Sequence, residues 1–258
     1  MLVAVLAALW AVAEVHDPFE GQARGAMAGD ERPAAPEFPA FLQGTVAAKP
    51  RVLTDARVAR RAAVLQPVAA LRSPRIGAPA VAKLATRTPE GTDAVVLALE
   101  EREDDVGLPW VRVRLPVLPH DATGWVPRQS LGAYTVIRTR LILDRRRLRA
   151  KLVRGGKVLF RAPIGIGKAK WPTPRGDFYV RNKLTNFDDP FYGAIAFGTS
   201  ARSAVLTDWP GGGFVGIHGT NRPSLLPGRV SHGCVRLRNR DILRLAKLMP
   251  VGTPVRII

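Results

Sequence analysis

Residues 135–167 read "TVIRTRLILDRRRLRAKLVRGGKVLFRAPIGIG". Apolar and basic residues alternate along this stretch, as they do on a strand with one face buried and one wet. Gly155-Gly156 breaks the pattern where a two-residue hairpin turn would sit. The segment therefore predicts paired antiparallel strands and a mainly β fold. Downstream, "TPRGDFYV" offers another turn and strand, and "TPVRII" closes the chain as a strand. Between them "NRDILRLAKLMP" places Ile242, Leu245, Ala246 and Met249 on one helical face, with Asn239 as a cap and Pro250 as a stop.

Working upstream, "AVVLALEE", "WVRVRLPV" and "TGWVPRQSL" are short β-prone runs separated by polar turns, within residues 51–131. The chain's 24 glycines and 22 prolines favour short strands over long helices. A length of 258 residues suits two domains better than one core. Residues 14–50 are rich in Ala, Pro, Gly and charge and predict a flexible linker. Residues 1–13 hold an uncharged apolar run too short to span a bilayer as a free helix. It suits a secretory signal ending at Ala11-Val12-Ala13, or a short anchor, and export is the expectation.

Charge divides the chain. Residues 1–132 carry 15 Lys+Arg against 15 Asp+Glu, whereas residues 133–258 carry 24 against 6, so the whole net charge of +18 lies in the second half. A basic domain attracts anionic polymers. For an exported protein those of the cell envelope are the better candidates, and a basic surface that is simply solvated is the alternative. Nucleic acid is not expected, because the aromatic–basic interleaving of RNA-binding sheets is missing. The "GIGK" at 165–168 is no phosphate loop: the spacing fails at Ala162, and Ala169 stands where Ser or Thr would bind magnesium. A dinucleotide fingerprint fails at Lys170. Zinc on His218, His232 and Cys234 is disfavoured by the single residue between His232 and Cys234, and neither a metal nor a cofactor is expected.

Cys234 is the only cysteine. Exported proteins usually pair their cysteines, so a lone one is a reactive thiol, an intermolecular partner or a buried bystander. Two of the four histidines, His218 and His232, stand near it in sequence. A histidine that accepts the thiol proton makes a nucleophile. Gly233 removes a side chain beside it and lets backbone N–H groups approach a developing oxyanion.

"GIHGTN" at 216–221 and "SHGCVRL" at 231–237, with sixteen residues from His218 to Cys234, resemble the motif of the L,D-transpeptidase (YkuD) family. "TPRGDFYV" and "ILDRRRLRAKLVRGGKVLFRAPIGIGK" fit that family's opening strands, so the resemblance spans about 133–258. It implies a β-sandwich catalytic domain with short helices. It makes Cys234 the nucleophile and His218 its base, oriented by the Gly219 carbonyl. Gly233 and Cys234 amides would form the oxyanion hole, and His232 would shape the site. Arg236 would bind or organise around a carboxylate, or support the loop, with Ser231, Thr220 and Tyr192 as further substrate-binding candidates. The implied reaction cleaves the diaminopimelate–D-Ala amide of a peptidoglycan stem peptide and joins the third residues of two stems. Water as acceptor would give a carboxypeptidase or amidase, and a wall-binding protein without catalysis is the other alternative. "PWVRVRLPVLPHDATGWVPRQSL" resembles the end of a bacterial SH3-like domain, which implies a small β-barrel in front.

Overall fold

Backbone N–H and C=O groups need partners once buried, so short strands must find one another. The computed structural model describes residues 49–185, 190–206 and 213–258. The apolar run at 1–13 and the linker expected at 14–50, except its last two residues, lie outside the described residues. In the front half, β1 (Arg51–Val52), β2 (Ala59–Ala63), β3 (Val68–Leu71), β4 (Ala80–Leu84), β5 (Val95–Glu103), β6 (Pro109–Arg114), β7 (Thr123–Pro127) and β8 (Thr135–Ile137) form one sheet. Its order is β4-β3-β7-β6-β5-β2-β8, with β1 paired to β5, and every pairing is antiparallel. β8 falls beyond residue 132 yet pairs with β2, so the chain leaves this sheet at Arg138.

The second sheet contains β9 (Thr139–Asp144), β10 (Arg149–Arg154), β11 (Lys157–Pro163), β12 (Gly165–Gly167) and β13 (Gly176–Thr185). It continues with β14 (Ile195–Arg202), β15 (Phe214–His218), β16 (Gly228–Ser231), β17 (Val235–Arg236) and β18 (Pro254–Ile257). The order is β11-β10-β9-β18-β13-β14-β15-β17-β12-β16. The alternation read at 135–167 is realised: Leu141, Leu143, Ala150, Leu152, Phe160 and Ala162 all point into one core. Gly155 and Gly156 adopt φ of 54° and 81° and join β10 to β11 with Arg154 opposite Lys157, which is the turn that favours glycine.

The chain is mainly β, and the described residues contain one α-helix, α1 (Asn239–Leu248). Its Ile242 and Leu245 are fully buried against the second core, with Met249 just beyond. Asn239 does not cap it. Arg238 occupies the cap position without a side-chain hydrogen bond, because the Asn239 side chain is engaged elsewhere. Among the described residues no helix is long and apolar enough to cross a membrane.

β5 explains the run "AVVLAL", which does not alternate. Val96 and Ala98 belong to the front core. Val95 and Leu97 face the other way and pack with Ala59, Ile137 and Tyr179 of β13. A strand buried on both faces has no wet side and reads as continuously apolar. Polar contacts extend this seam: the Tyr179 hydroxyl donates to Val95 O at 3.2 Å, Asp177 N–H donates to Asp121 Oδ1 at 2.8 Å, and His120 Nε2 lies 2.7 Å from Arg202 O.

Leu97→Ala should therefore cost about 2–4 kcal/mol and destabilise both sheets together. With Trp10, Trp171 and Trp209 replaced by Phe, fluorescence of Trp110 and Trp125 reports the front sheet, and protection of Cys234 from alkylation reports the second. The two probes should give one shared, lowered midpoint. Separate midpoints would show that the sheets unfold independently.

Candidate active site

His218 and Cys234, sixteen positions apart, come together in space because β15 and β17 are parallel neighbours. Ile217 stands opposite Val235 and His218 opposite Arg236. Cys234 immediately precedes β17, and Gly216 sits within β15. The Gly216 N–H donates to Cys234 Sγ at 3.3 Å. Cys234, His218, His232, Arg236, Tyr192 and Phe214 line one cavity, joined by Ser231. Cys234 is half-buried and His218 is fully buried. A Cβ at Gly216 would lie 3.8 Å from Cys234 Sγ and 3.9 Å from His218 Cδ2. Glycine thus leaves the space beside both groups open.

His218 Nδ1 lies 2.7 Å from Gly219 O. A carbonyl can only accept, so Nδ1 carries the proton and Nε2 keeps its lone pair. The Tyr192 and Phe191 rings pack on the imidazole, with centroids 5.1 and 5.9 Å away. Behind it, Asn239 Oδ1 accepts the Thr220 N–H at 2.9 Å. A Cβ at Gly219 or at Gly193 would run into that Asn239 oxygen. Asn239 therefore fixes the Gly219–Thr220 turn that orients His218.

The cysteine loop is braced from within. Ser231 Oγ donates to Cys234 O at 2.6 Å and accepts Gly233 N–H at 3.1 Å. Gly233 has φ of 120°, a conformation that favours glycine. Its carbonyl accepts the Thr173 hydroxyl at 2.7 Å, and Thr173 Oγ1 accepts Gly167 N–H at 2.9 Å. The "GIGK" stretch is thus the strand that anchors the cysteine loop. His232 packs at a tilt of 53° against Trp171, with centroids 4.1 Å apart.

Electrostatically the resting pair is neutral. Burial lowers His218 from its ordinary 6.5 to about 4, with the Arg236 charge adding to the effect and the Gly219 carbonyl opposing it. Burial also raises the Cys234 thiol, while the Gly216 N–H and Arg236 pull it down. The imidazole is therefore a ready base, and the thiol holds its proton until a reaction draws it away. Arg236 is buried, its guanidinium lies 4.3 Å from the Phe191 ring centroid, and its Nε has no hydrogen-bond partner.

Of the residues expected from sequence, Cys234, His218, His232, Arg236, Tyr192 and Ser231 converge on the cavity. Gly219 stands behind His218 as its acceptor. Three placements differ from expectation. Thr220 does not line the cavity; it is buried, and its hydroxyl accepts Arg222 N–H at 3.1 Å. Ser231 spends its hydroxyl on the loop. The Gly233 amide, expected in an oxyanion hole, is donated to that hydroxyl. Gly216, Asn239, Thr173 and Trp171 were not singled out for the site from sequence. Gly216 lay within "GIHGTN", which carried a signal for it. Among the described residues no cluster of three or more His, Cys, Asp or Glu could hold a metal ion.

Residues 138–257 match the family model described as YkuD, L,D-transpeptidase catalytic domain. The putative L,D-transpeptidase YkuD of Bacillus licheniformis is 42% identical over 95 residues, which cover 37% of this chain and 50% of that protein. The putative L,D-transpeptidase YqjB of Bacillus subtilis is 32% identical over 123 residues, covering 45% of this chain and 68% of that protein. The chain spans about half the length of the YkuD relatives it matches, 50% and 54%. A solved L,D-transpeptidase of Enterococcus faecium aligns at 26% identity over 46% of this chain and 49% of its own, with a TM-score of 0.38, too loose a superposition to compare side chains.

Two outcomes follow from the geometry. The depressed His218 means that the unfolded chain takes up a proton that the folded chain refuses. Its contribution to stability is complete above pH 6.5, and about 3 kcal/mol of it is lost as the pH falls through 4. His218→Gln should flatten that part of the stability curve, measured by denaturant unfolding from pH 7 to 4. Gly216→Ala should fold normally, since its nearest neighbours are at ordinary contact distance, yet slow alkylation of Cys234 several-fold. An unchanged rate would show that the space beside the thiol is unused.

Proposed function

The chain belongs to the YkuD family of L,D-transpeptidase catalytic domains, and from that premise we propose that it is an exported cysteine acyltransferase that joins the third residues of two peptidoglycan stem peptides. The observation that carries this reading is the half-buried thiol receiving the Gly216 N–H in the same cavity as a neutral, carbonyl-oriented imidazole. Such a pair is matched to transferring one proton during attack and returning it on departure.

In the proposed cycle, His218 Nε2 takes the Cys234 proton as Sγ attacks the amide carbonyl between diaminopimelate and D-Ala. The Gly216 N–H, already aimed at sulfur, stabilises the anion that forms. The Cys234 amide serves the developing oxyanion. His218 then returns the proton to the departing D-Ala nitrogen, leaving a thioester on Cys234. The amine of a second stem attacks the thioester, and its proton passes through His218 back to sulfur. Buried Arg236, with an unpartnered Nε at the cavity, supplies a cation for a stem carboxylate. Aromatic Tyr192 and Phe214 provide apolar walls. The front sheet is assigned as an SH3-like wall-recognition module, and the basic excess of residues 133–258 as an attraction to anionic envelope polymers.

The test is product analysis. Purified full-length protein, given a tetrapeptide stem donor and a second stem as amine acceptor, should yield the cross-linked product with loss of D-Ala by mass spectrometry. Hydrolysed tripeptide alone would instead identify a carboxypeptidase. A carbapenem-type β-lactam should add its mass to the wild type and not to Cys234→Ala. An adduct on Cys234→Ala would sink the assignment of the nucleophile.

A further inference from the structure

The turn between β4 and β5 is rigid. Thr88 N–H donates to Thr92 O at 2.8 Å, Gly91 N–H to Thr88 O at 2.9 Å, and the Thr88 and Thr92 hydroxyls lie 2.8 Å apart. Arg87 and Asp93 close its base at 2.7 Å. The turn projects Glu90 onto β13 of the second sheet. There one carboxylate oxygen accepts Arg181 Nη2 at 2.7 Å and the other accepts Asn182 Nδ2 at 3.0 Å. Both donor residues are buried; Asn182 Nδ2 also reaches Thr88 Oγ1 of the same turn at 3.3 Å, so losing Glu90 is costly chiefly at Arg181 Nη2.

Arg181 and Asn182 occupy the place where pairing between β13 and β14 shifts register. Such irregularities re-aim side chains and recur beside active sites. Arg181 Nε donates to Thr199 O at 3.1 Å, and Asn182 Oδ1 accepts Gly198 N–H at 3.0 Å, so both side chains are threaded into β14. The Arg181 guanidinium then lies 3.7 Å from the Phe214 ring centroid, with Arg202 at 4.6 Å from the same ring. Two guanidinium groups on one ring repel each other, and the Glu90 carboxylate neutralises the nearer one. Phe214 opens β15 and lines the catalytic cavity. Two residues further on, Gly216 contacts the thiol, and two more bring the chain to His218.

We propose that Glu90 of the front sheet is a positioning residue for the Cys234–His218 site, acting through Arg181 on Phe214 and hence on β15. The inference rests on the reading that Cys234 and His218 are the reacting pair. It makes the front sheet a part of the active site's support, because Glu90 brings two acceptor oxygens from the front sheet to two buried donors of β13. A carboxylate is required: an amide at this position presents only one acceptor and would turn an N–H toward a donor.

The test compares full-length Glu90→Ala, Glu90→Gln and Glu90→Asp at a temperature where each is folded. One measurement is the rate of Cys234 alkylation by iodoacetamide as a function of pH, and the other is donor kcat and KM. Ala and Gln should slow alkylation and acylation by roughly ten- to hundred-fold, with KM rising as the Phe214 wall shifts. Asp, which keeps both oxygens, should recover much of the rate. Combined with Phe214→Leu, the Glu90→Ala effect should be strongly non-additive. The proposal is overturned if folded Glu90→Ala loses thermal stability while alkylation and donor kinetics stay at wild-type values, or if the two substitutions act independently. Should Glu90→Ala not fold, Glu90→Gln is judged by the same criteria. If wild-type protein alkylates at Cys234 but does not turn over stem peptides, the proposed reaction fails while the alkylation series still decides the role of Glu90.

Discussion

The parallel pairing of β15 with β17 is the constraint on which everything at the site depends. Parallel neighbours cannot be joined by a tight turn, so the chain must leave β15 at His218, travel sixteen residues and return at Cys234. That detour provides room for a loop carrying Ser231, His232 and Gly233. It also brings the backbone N–H of Gly216 against the sulfur. A shift of one residue in this register would carry Cys234 to the other face of the sheet. The supporting contacts all oppose such a shift. Thr173 holds Gly233, Ser231 holds the carbonyl of Cys234, and Asn239 holds the turn after His218.

The same enclosure sets the chemistry. Burial disfavours charge on both partners, so the resting site keeps a thiol and an imidazole instead of an ion pair. A raised thiol carries less of the thiolate on which alkylation and oxidation depend. In the proposed reaction, charge would arise only as the thiol gives up its proton to the imidazole. Arg236, packed 4.3 Å from the Phe191 ring centroid, is the cation that acts on the thiol.

Much of this was legible in the order of residues. The hairpin at Gly155-Gly156 and the alternation around it depend on local steric rules, and they survive folding unchanged. The Ser-His-Gly-Cys run and its upstream histidine carry their chemistry in their identities. What could not be read is what depends on distant partners. Asn239 looks like a helix cap because asparagine usually serves its own helix, but here a turn nineteen residues earlier takes its oxygen. Ser231 and Thr220 look like ligand-binding hydroxyls until the loop that consumes them is built. Thr173 is silent in sequence, since nothing local shows that it will bridge Gly167 and Gly233. Glu90 is one of many surface-type acids until β13 arrives beneath it.

β5 has a consequence for how such proteins are assembled over time. A strand whose two sides both serve as interior answers to two sets of neighbours at each position, Val96 and Ala98 to one and Val95 and Leu97 to the other. The front sheet accordingly shares a buried seam with β13. Exchange for a foreign module would have to import a strand that is apolar on both sides, a cavity for Tyr179 and an acceptor for its hydroxyl. Parting the chain at Arg138 would leave an exposed apolar seam on each half.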